Sequence, residues 1–319
     1  SPAHPLFLIR SPTMQAVTPG QEKPVPGLDP VAARRWRERR RSESPWLHEE
    51  IGARMADRLG WIKQAPAQWL DWAPLNGGLQ AHRLVAERYP EARVELLGQG
   101  AAAAADSLRR LSPRGWNPLK WLASGPALHD ESGAAAGTAG LLWANMALHQ
   151  EPLPRALLSR WLDRLAVNGF LMFSCLGPDS LRELRAVYAA QGWPAPCHDF
   201  TDMHDWGDML IEVGYAEPVM DMERITLAYP DAKRLLRDLR DWGRNLNQAR
   251  FAGLRGCGWA QAQERALEAG LPRNEQGQLL LSFEVNYGHA VKPAPRVRLE
   301  STSQVSVDQM RAMLRQPRA

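Results

Sequence analysis

Apolar residues recur along this chain in two rhythms. Short runs that are apolar at nearly every position alternate with longer stretches in which apolar positions return every three to four residues. The first rhythm belongs to strands buried on both faces, the second to amphipathic helices. In order, the pattern predicts a helix over 46–59, with Leu47, Ile51, Met55 and Leu59 at four-residue spacing, and a strand over 69–73. A helix over 79–89, a strand over 93–98 and an Ala-rich helix over 101–111 follow. The Gly/Ala-rich stretch 124–140 shows no period. Beyond it come a strand over 141–146, a helix over 152–167 stopped by Asn168-Gly169, and a strand over 170–176. Ser180-Leu-Arg-Glu183 has capping-box spacing and opens a helix. Asp202 and Asp205 open another, with Trp206, Met209, Leu210 and Val213 inward. A strand over 219–228, helices over 231–246 and 259–269, and a strand over 278–287 complete the series.

Strands alternating with helices, each strand almost continuously apolar, define an α/β protein with a mostly parallel sheet covered on both faces. Ligands of such sheets lie beyond the carboxyl ends of the strands. Function is therefore expected just after residues 72, 97, 144 and 176. The first 30 residues hold Pro2, Pro5, Pro12, Pro19, Pro24, Pro26 and Pro30, too many for a helix or an inner strand, so 1–29 reads as an extended arm. The main domain is expected over 30–293, with a helical insertion over 231–270 and a polar tail over 294–319.

Composition adds three points. The 39 Lys+Arg against 35 Asp+Glu leave a net charge of +4, and no apolar run approaches the length of a membrane-spanning helix. Three scattered cysteines, Cys175, Cys197 and Cys257, make a disulfide framework a poor reading and point to a reducing cytoplasm. Thirteen tryptophans are more than a core of this size needs. The basic run around Trp36 reads as the solvated start of a helix rather than a nucleic-acid patch, because Glu38, Glu43, Glu49 and Glu50 dilute its field. Cys197, His198, Asp199, Asp202, His204 and Asp205 lack the paired spacing of a metal site; Asp202 and Asp205 suit a helix N-terminus.

Several segments carry a resemblance. Asp71-Trp-Ala-Pro-Leu-Asn-Gly-Gly78, Trp143-Ala-Asn-Met-Ala-Leu-His149, Asn168-Gly-Phe-Leu-Met-Phe-Ser-Cys-Leu-Gly-Pro-Asp-Ser-Leu-Arg-Glu-Leu184, Met203-His-Asp-Trp-Gly-Asp-Met-Leu, Pro218-Val-Met-Asp-Met-Glu and Phe283-Glu-Val-Asn-Tyr-Gly-His289 are similar to class I S-adenosyl-L-methionine (SAM) methyltransferases. Within that class they most resemble the malonyl-acyl-carrier-protein O-methyltransferases of biotin synthesis. A methyltransferase-like assembly factor of respiratory complex I forms a related group.

The resemblance implies a Rossmann-like, seven-stranded sheet whose last two strands form an antiparallel pair, with the helical insertion between them. It implies SAM as cofactor and an acidic acyl carrier protein as partner. Asp71, Asn76, Gly77, Gly78, Gln99, Leu128 and Asn145 become the cofactor contacts, and His149 and Arg182 the substrate contacts. Four positions depart from the family pattern. Ala73, Pro74 and Leu75 interrupt the glycine loop; Leu97-Gly98-Gln99 lacks the carboxylate that meets the ribose; Ser124-Gly-Pro-Ala-Leu128 lacks an acid; and Gly140 stands where an acid usually opens strand four. Two lost charge-assisted hydrogen bonds weaken binding by about 3–6 kcal/mol. SAM binding is thus expected to be weak or lost, with Trp69, Trp72, Trp116 and Trp121 beside the altered motifs. Two functions follow: a carboxyl O-methyltransferase, or a catalytically inactive pseudo-methyltransferase that binds or assembles other proteins. Methylating a carboxylate needs orientation rather than a general base, so no catalytic dyad is expected.

Overall fold

The computed structural model describes residues 22–39, 41–98, 100–111, 127–129, 134–253 and 255–295. Two helices, α1 (Pro30–Arg37) and α2 (Trp46–Arg58), precede the first strand. Then come β1 (Gln68–Trp72), α3 (Pro74–Gly77), α4 (Leu79–Arg88), β2 (Arg93–Leu97), α5 (Ala101–Leu111), β3 (Ala127–His129) and β4 (Ala139–Ala144). The second half holds α6 (Pro154–Arg164), β5 (Leu165–Leu176), α7 (Arg182–Ala190), α8 (Met203–Val213), β6 (Ala216–Tyr229), α9 (Ala232–Trp242), α10 (Cys257–Gly270) and β7 (Leu279–Val291). The strands form one sheet in the order β3-β2-β1-β4-β5-β7-β6. Strands β1 to β5 pair in parallel, and β7 runs antiparallel to both β5 and β6.

Alternation within the strands explains their continuous apolar character. Leu141, Trp143, Phe170 and Met172 face α2 and α4, packing with Ile51, Met55, Ala81 and Val85. Their neighbours Leu142, Ala144, Leu171 and Phe173 face α6 and α8, packing with Leu157, Trp161, Trp206 and Leu210. Four tryptophans, Trp69, Trp143, Trp161 and Trp206, are wholly inside these two layers. Much of the indole content is therefore ordinary core. Helix α5 packs on the sheet edge through Ala101, Ala104 and Ala105 against Leu75 and Leu96.

Local readings are corrected at three places. The helix expected over 152–167 ends at Arg164, and Asn168-Gly169 lies inside β5 rather than stopping a helix. Gly169 is needed there for close approach: a Cβ would stand 2.5 Å from the Ala139 carbonyl oxygen. Ser180 and Glu183 do not form a capping box. The Ser180 hydroxyl donates to the Glu284 carbonyl and accepts from the Glu284 N–H, while Glu183 accepts from the Ser282 N–H, so both fasten α7 to β7. Pro74 is the first residue of α3, where its missing N–H costs no bond, and Leu75 is helical. The strained position is Ala73, with φ 51°.

The described end of the N-terminal arm is not free. Glu22 accepts from the N–H groups of Arg155 and Ala156 at the start of α6. Leu28 is buried with Ala33, Trp36 and Leu246. These contacts lay α1 across the carboxyl ends of the strands.

Candidate functional site

Two adjoining cavities open where the parallel strands end. The larger, about 800 Å³, is floored by Trp72, Ala73, Leu75 and Asn76 after β1, by Gly98 and Gly100 after β2, and by Leu128 of β3. Ala147, Gln150, Glu151 and Leu157 close one side, and Trp36, Arg37, Arg39 and Arg41 form the roof. This volume lies within the range of small-molecule and cofactor sites. The smaller, about 330 Å³, is lined by His48, Met146, His149, Leu181, His198 and Phe200, with Arg240, Trp242, Arg244 and Trp259 from the segment between β6 and β7. Gln150 lines both.

Backbone strain gathers here. Among the described residues, Ala73, Met146, Asn168, Leu181 and Glu217 have positive φ without being glycine. Ala73, Met146 and Leu181 all line the cavities. Such conformations cost of order 1–3 kcal/mol each and persist where the surroundings fix them. At Gly98 and Gly100, with φ 79° and 82°, the chain turns freely. A Cβ at Gly98 would meet only the Ala73 N–H, at 4.0 Å, so Gly98 presents bare backbone to the cavity.

Asn145 holds the floor together. Its Nδ2 donates to the His48 carbonyl at 2.7 Å and to the Gly77 carbonyl, and its Oδ1 accepts from the Ser174 hydroxyl at 2.6 Å. His48 Nδ1 in turn donates to the Asn76 carbonyl at 2.7 Å. Burial pushes His48 down to about 4, so it is neutral at pH 7. Asp71 is buried against His82, 2.6 Å away, and burial raises its pKa. The start of α4 is sealed by α2 and the turn before it: Glu49 accepts from the N–H groups of Gln80 and Ala81, and the Ser44 hydroxyl accepts from the Leu79 N–H.

The sequence-derived site residues thus divide. Asn76 and Leu128 line the larger cavity and His149 the smaller. Asp71, Gly77, Gly78 and Asn145, expected as direct contacts, line neither; their polar groups serve internal bonds, and Gly78 is backed by Glu49. Arg182, expected as a substrate contact, is an exposed side chain on Glu183 and lines neither cavity. Gln99, Trp116 and Trp121 lie outside the described residues. Trp72 lines the larger cavity, edge-on to Trp161 at 5.5 Å, whereas Trp69 stacks on His82 within the core. No group of three metal-binding side chains converges among the described residues, and none of their helices is long and apolar enough to cross a membrane. Asp199 pairs with Arg185, and Asp202 caps α8.

His149 and His198 stand out chemically. Burial, first of all, holds both below the usual imidazole range, so both are neutral at pH 7. His198 Nε2 donates to the His149 carbonyl at 2.8 Å. The Nδ1 atoms of both rings are buried without a partner among the described residues. Such orphaned buried groups call for a ligand or water. The roof residues Trp36, Arg37 and Arg41 and the shared Gln150 were not foreseen as site residues. The Arg-rich run was visible, but nothing in its spacing says that it folds back over the strands.

Parallel strands in this order, an antiparallel last pair and a cavity over the β1 and β2 ends define the class I methyltransferase fold. A methyltransferase candidate from Bacillus halodurans, BH2331, shares it with a TM-score of 0.51 at 13% identity, over 77% of this chain and 100% of its own. No family model matches. Curated relatives are more specific. The malonyl-[acyl-carrier protein] O-methyltransferase of Laribacter hongkongensis is 39% identical over 79% of this chain and 84% of its own. That of Gallionella capsiferriformans is 38% identical over 81% and 88%, and that of Nitrosospira multiformis 34% over 79% and 85%. The chain belongs to the malonyl-[acyl-carrier protein] O-methyltransferase family.

Proposed function

We propose that this chain transfers a methyl group from SAM to the free carboxylate of a malonyl thioester carried on an acyl carrier protein. One observation carries the reading: the cofactor-sized cavity over Gly98 and Gly100 adjoins a second cavity lined by neutral, unsatisfied histidines, and Gln150 belongs to both. Bound SAM supplies an electrophilic methyl on its sulfonium. Asn76, the backbone at Gly98 and Gly100, Trp72, Leu128 and Ala147 would hold it. The malonyl group enters the smaller cavity, where His149 and Gln150 offer uncharged donors to its carboxylate, while His198, whose proton is committed to the His149 carbonyl, fixes that backbone. Neutral donors orient a carboxylate without quenching its nucleophilicity, and orientation is what this reaction needs. The segment 231–270 supplies one wall of that cavity, so the catalytic unit in this reading is 30–293, preceded by the arm 1–29 and followed by the tail 294–319.

Weak cofactor binding is part of the proposal. No described carboxylate at the end of β2 lines the larger cavity, since Glu95 is buried and paired with Arg93 at 3.0 Å. The two acids that do line it, Glu38 and Glu151, already face Arg34 and Arg37. The test is incubation of the purified protein with SAM and malonyl-acyl carrier protein, read by mass spectrometry. A carrier heavier by one methyl ester is expected; no ester at millimolar SAM, from folded protein, rejects the enzyme. The sealed α4 N-terminus and the absent β2 carboxylate favour a second reading, a binding protein without turnover. Its mark is retained carrier binding with no methyl ester formed.

A further inference from the structure

Three guanidinium groups surround one indole at the roof. Arg41 lies over the Trp36 ring at 4.6 Å from its centroid, Arg244 at 5.2 Å and Arg39 at 5.5 Å. Arg39 and Arg41 border the larger cavity and Arg244 the smaller, so the cluster spans the join between them. Arg39 and Arg244 reach solvent, which puts the cluster at the rim.

This cluster is short of counter-ions, with one carboxylate, Asp241, acting on Arg41 and Arg244 and none in contact with them. Among the described residues no carboxylate forms an ion pair with Arg39, Arg41 or Arg244: Glu38 is paired with Arg34, Glu151 with Arg37 and Asp238 with Arg234, and the Asp241 carboxylate acts on Arg41 and Arg244 only from beyond ion-pair distance. In contact with Arg41, Asp241 offers only its backbone carbonyl, at 2.8 Å, and Arg244 likewise bonds to the Arg240 and Gly243 carbonyls. The second terminal nitrogen of Arg41 is buried with no acceptor. Burial and the neighbouring Arg39 and Arg244 charges depress the Arg41 guanidinium to about 10. Three cations held together with no anion in contact, one with an idle buried donor, call for an oxyanion to complete them.

We infer that Arg39, Arg41 and Arg244 form a phosphate-ester site over Trp36, which grips the phosphate of the arm that brings the acyl substrate into the smaller cavity. The inference rests on the carrier-linked substrate proposed above. A phosphate ester suits the cluster better than the reacting carboxylate does. It offers oxygens to several guanidinium groups at once, and the rim is where a tether leaves the protein while the acyl end lies deeper, beside His149.

The experiment is calorimetric and needs no turnover. Binding of 4′-phosphopantetheine is compared with that of pantetheine, which lacks the phosphate, for the full chain and for the R41Q/R244Q variant. The wild type is expected to prefer the phosphorylated ligand by about ten-fold or more, the worth of a charge-assisted hydrogen bond. That preference should vanish in R41Q/R244Q and survive in part in R41K/R244K, whose charges remain. Equal binding of the two ligands by the wild type overturns the inference, as does a preference that persists in R41Q/R244Q. A rise in the SAM dissociation constant of R41Q/R244Q matching its loss for 4′-phosphopantetheine assigns the cluster to the cofactor carboxylate instead. Methyl transfer failing while the phosphate preference stands would reject the proposed reaction and leave this site in place.

Discussion

The family resemblance makes Asn145 a cofactor contact. Its three hydrogen bonds tie α2, the β1 loop and β5 together under the cavity floor. An Asn145→Ala substitution leaves two carbonyls and a hydroxyl without their partner. A loss of about 2–4 kcal/mol is expected, readable as a lowered midpoint in thermal or urea denaturation. His48 gives the same region a pH dependence. Its folded-state pKa, about 4, lies below its ordinary value of 6.5. The unfolded chain therefore binds more protons between those values, and the stability contributed by neutral His48 is full above pH 6.5. It is lost as pH falls toward 4, amounting to about 3 kcal/mol. Urea midpoints measured from pH 7.5 to 4.5 should fall, and less steeply in a His48→Gln variant.

Much of the element series was legible in periodicity because nearly every strand is buried on two faces. What escaped were places where a local signal served a distant partner. Ser180 and Glu183 have the spacing of a cap but spend their polar atoms on β7, about a hundred residues away. Asn168-Gly169 has the composition of a helix stop, yet tertiary pairing with β4 and β7 extends the strand through it. The roof was illegible for the same reason, since α1 is placed by Leu246, Glu151 and the arm. Two predictions belong to this scale. Removing the Glu49 carboxylate (Glu49→Ala) uncaps α4 and should cost about 0.5–2 kcal/mol in denaturation. At Gly288 on β7 a Cβ would come within 2.2 Å of the Phe173 ring. A Gly288→Ala change should therefore destabilise by about 1–3 kcal/mol, read in the same assay.

Across the whole molecule the net charge is only +4, but its distribution matters more than its sum. Arg34, Arg37, Arg39 and Arg41 face Glu38 and Glu151 around the larger cavity, an excess of 4 − 2 = 2 positive charges. SAM itself is cationic, whereas its demethylated product lacks the sulfonium charge. The product should bind more tightly than SAM, by about three- to ten-fold at low ionic strength, and the gap should narrow as salt screens the roof. Competition calorimetry at two salt concentrations reads this directly; equal affinities at both would show that the arginines do not act on the cofactor.

The roof also has a stability of its own. Beside the Arg37–Glu151 ion pair, the apolar hold on helix α1 is a small buried cluster, Leu28, Ala33, Trp36 and Leu246, separate from the cores on either face of the sheet. Few buried contacts mean a low cost of local opening. Amide protons of residues 31–37 should consequently exchange with solvent well before those of β4 and β5, through openings that leave the sheet intact. Such openings would widen the larger cavity at its roof, and mutations at Leu28 or Leu246, which line neither cavity, would make them more frequent.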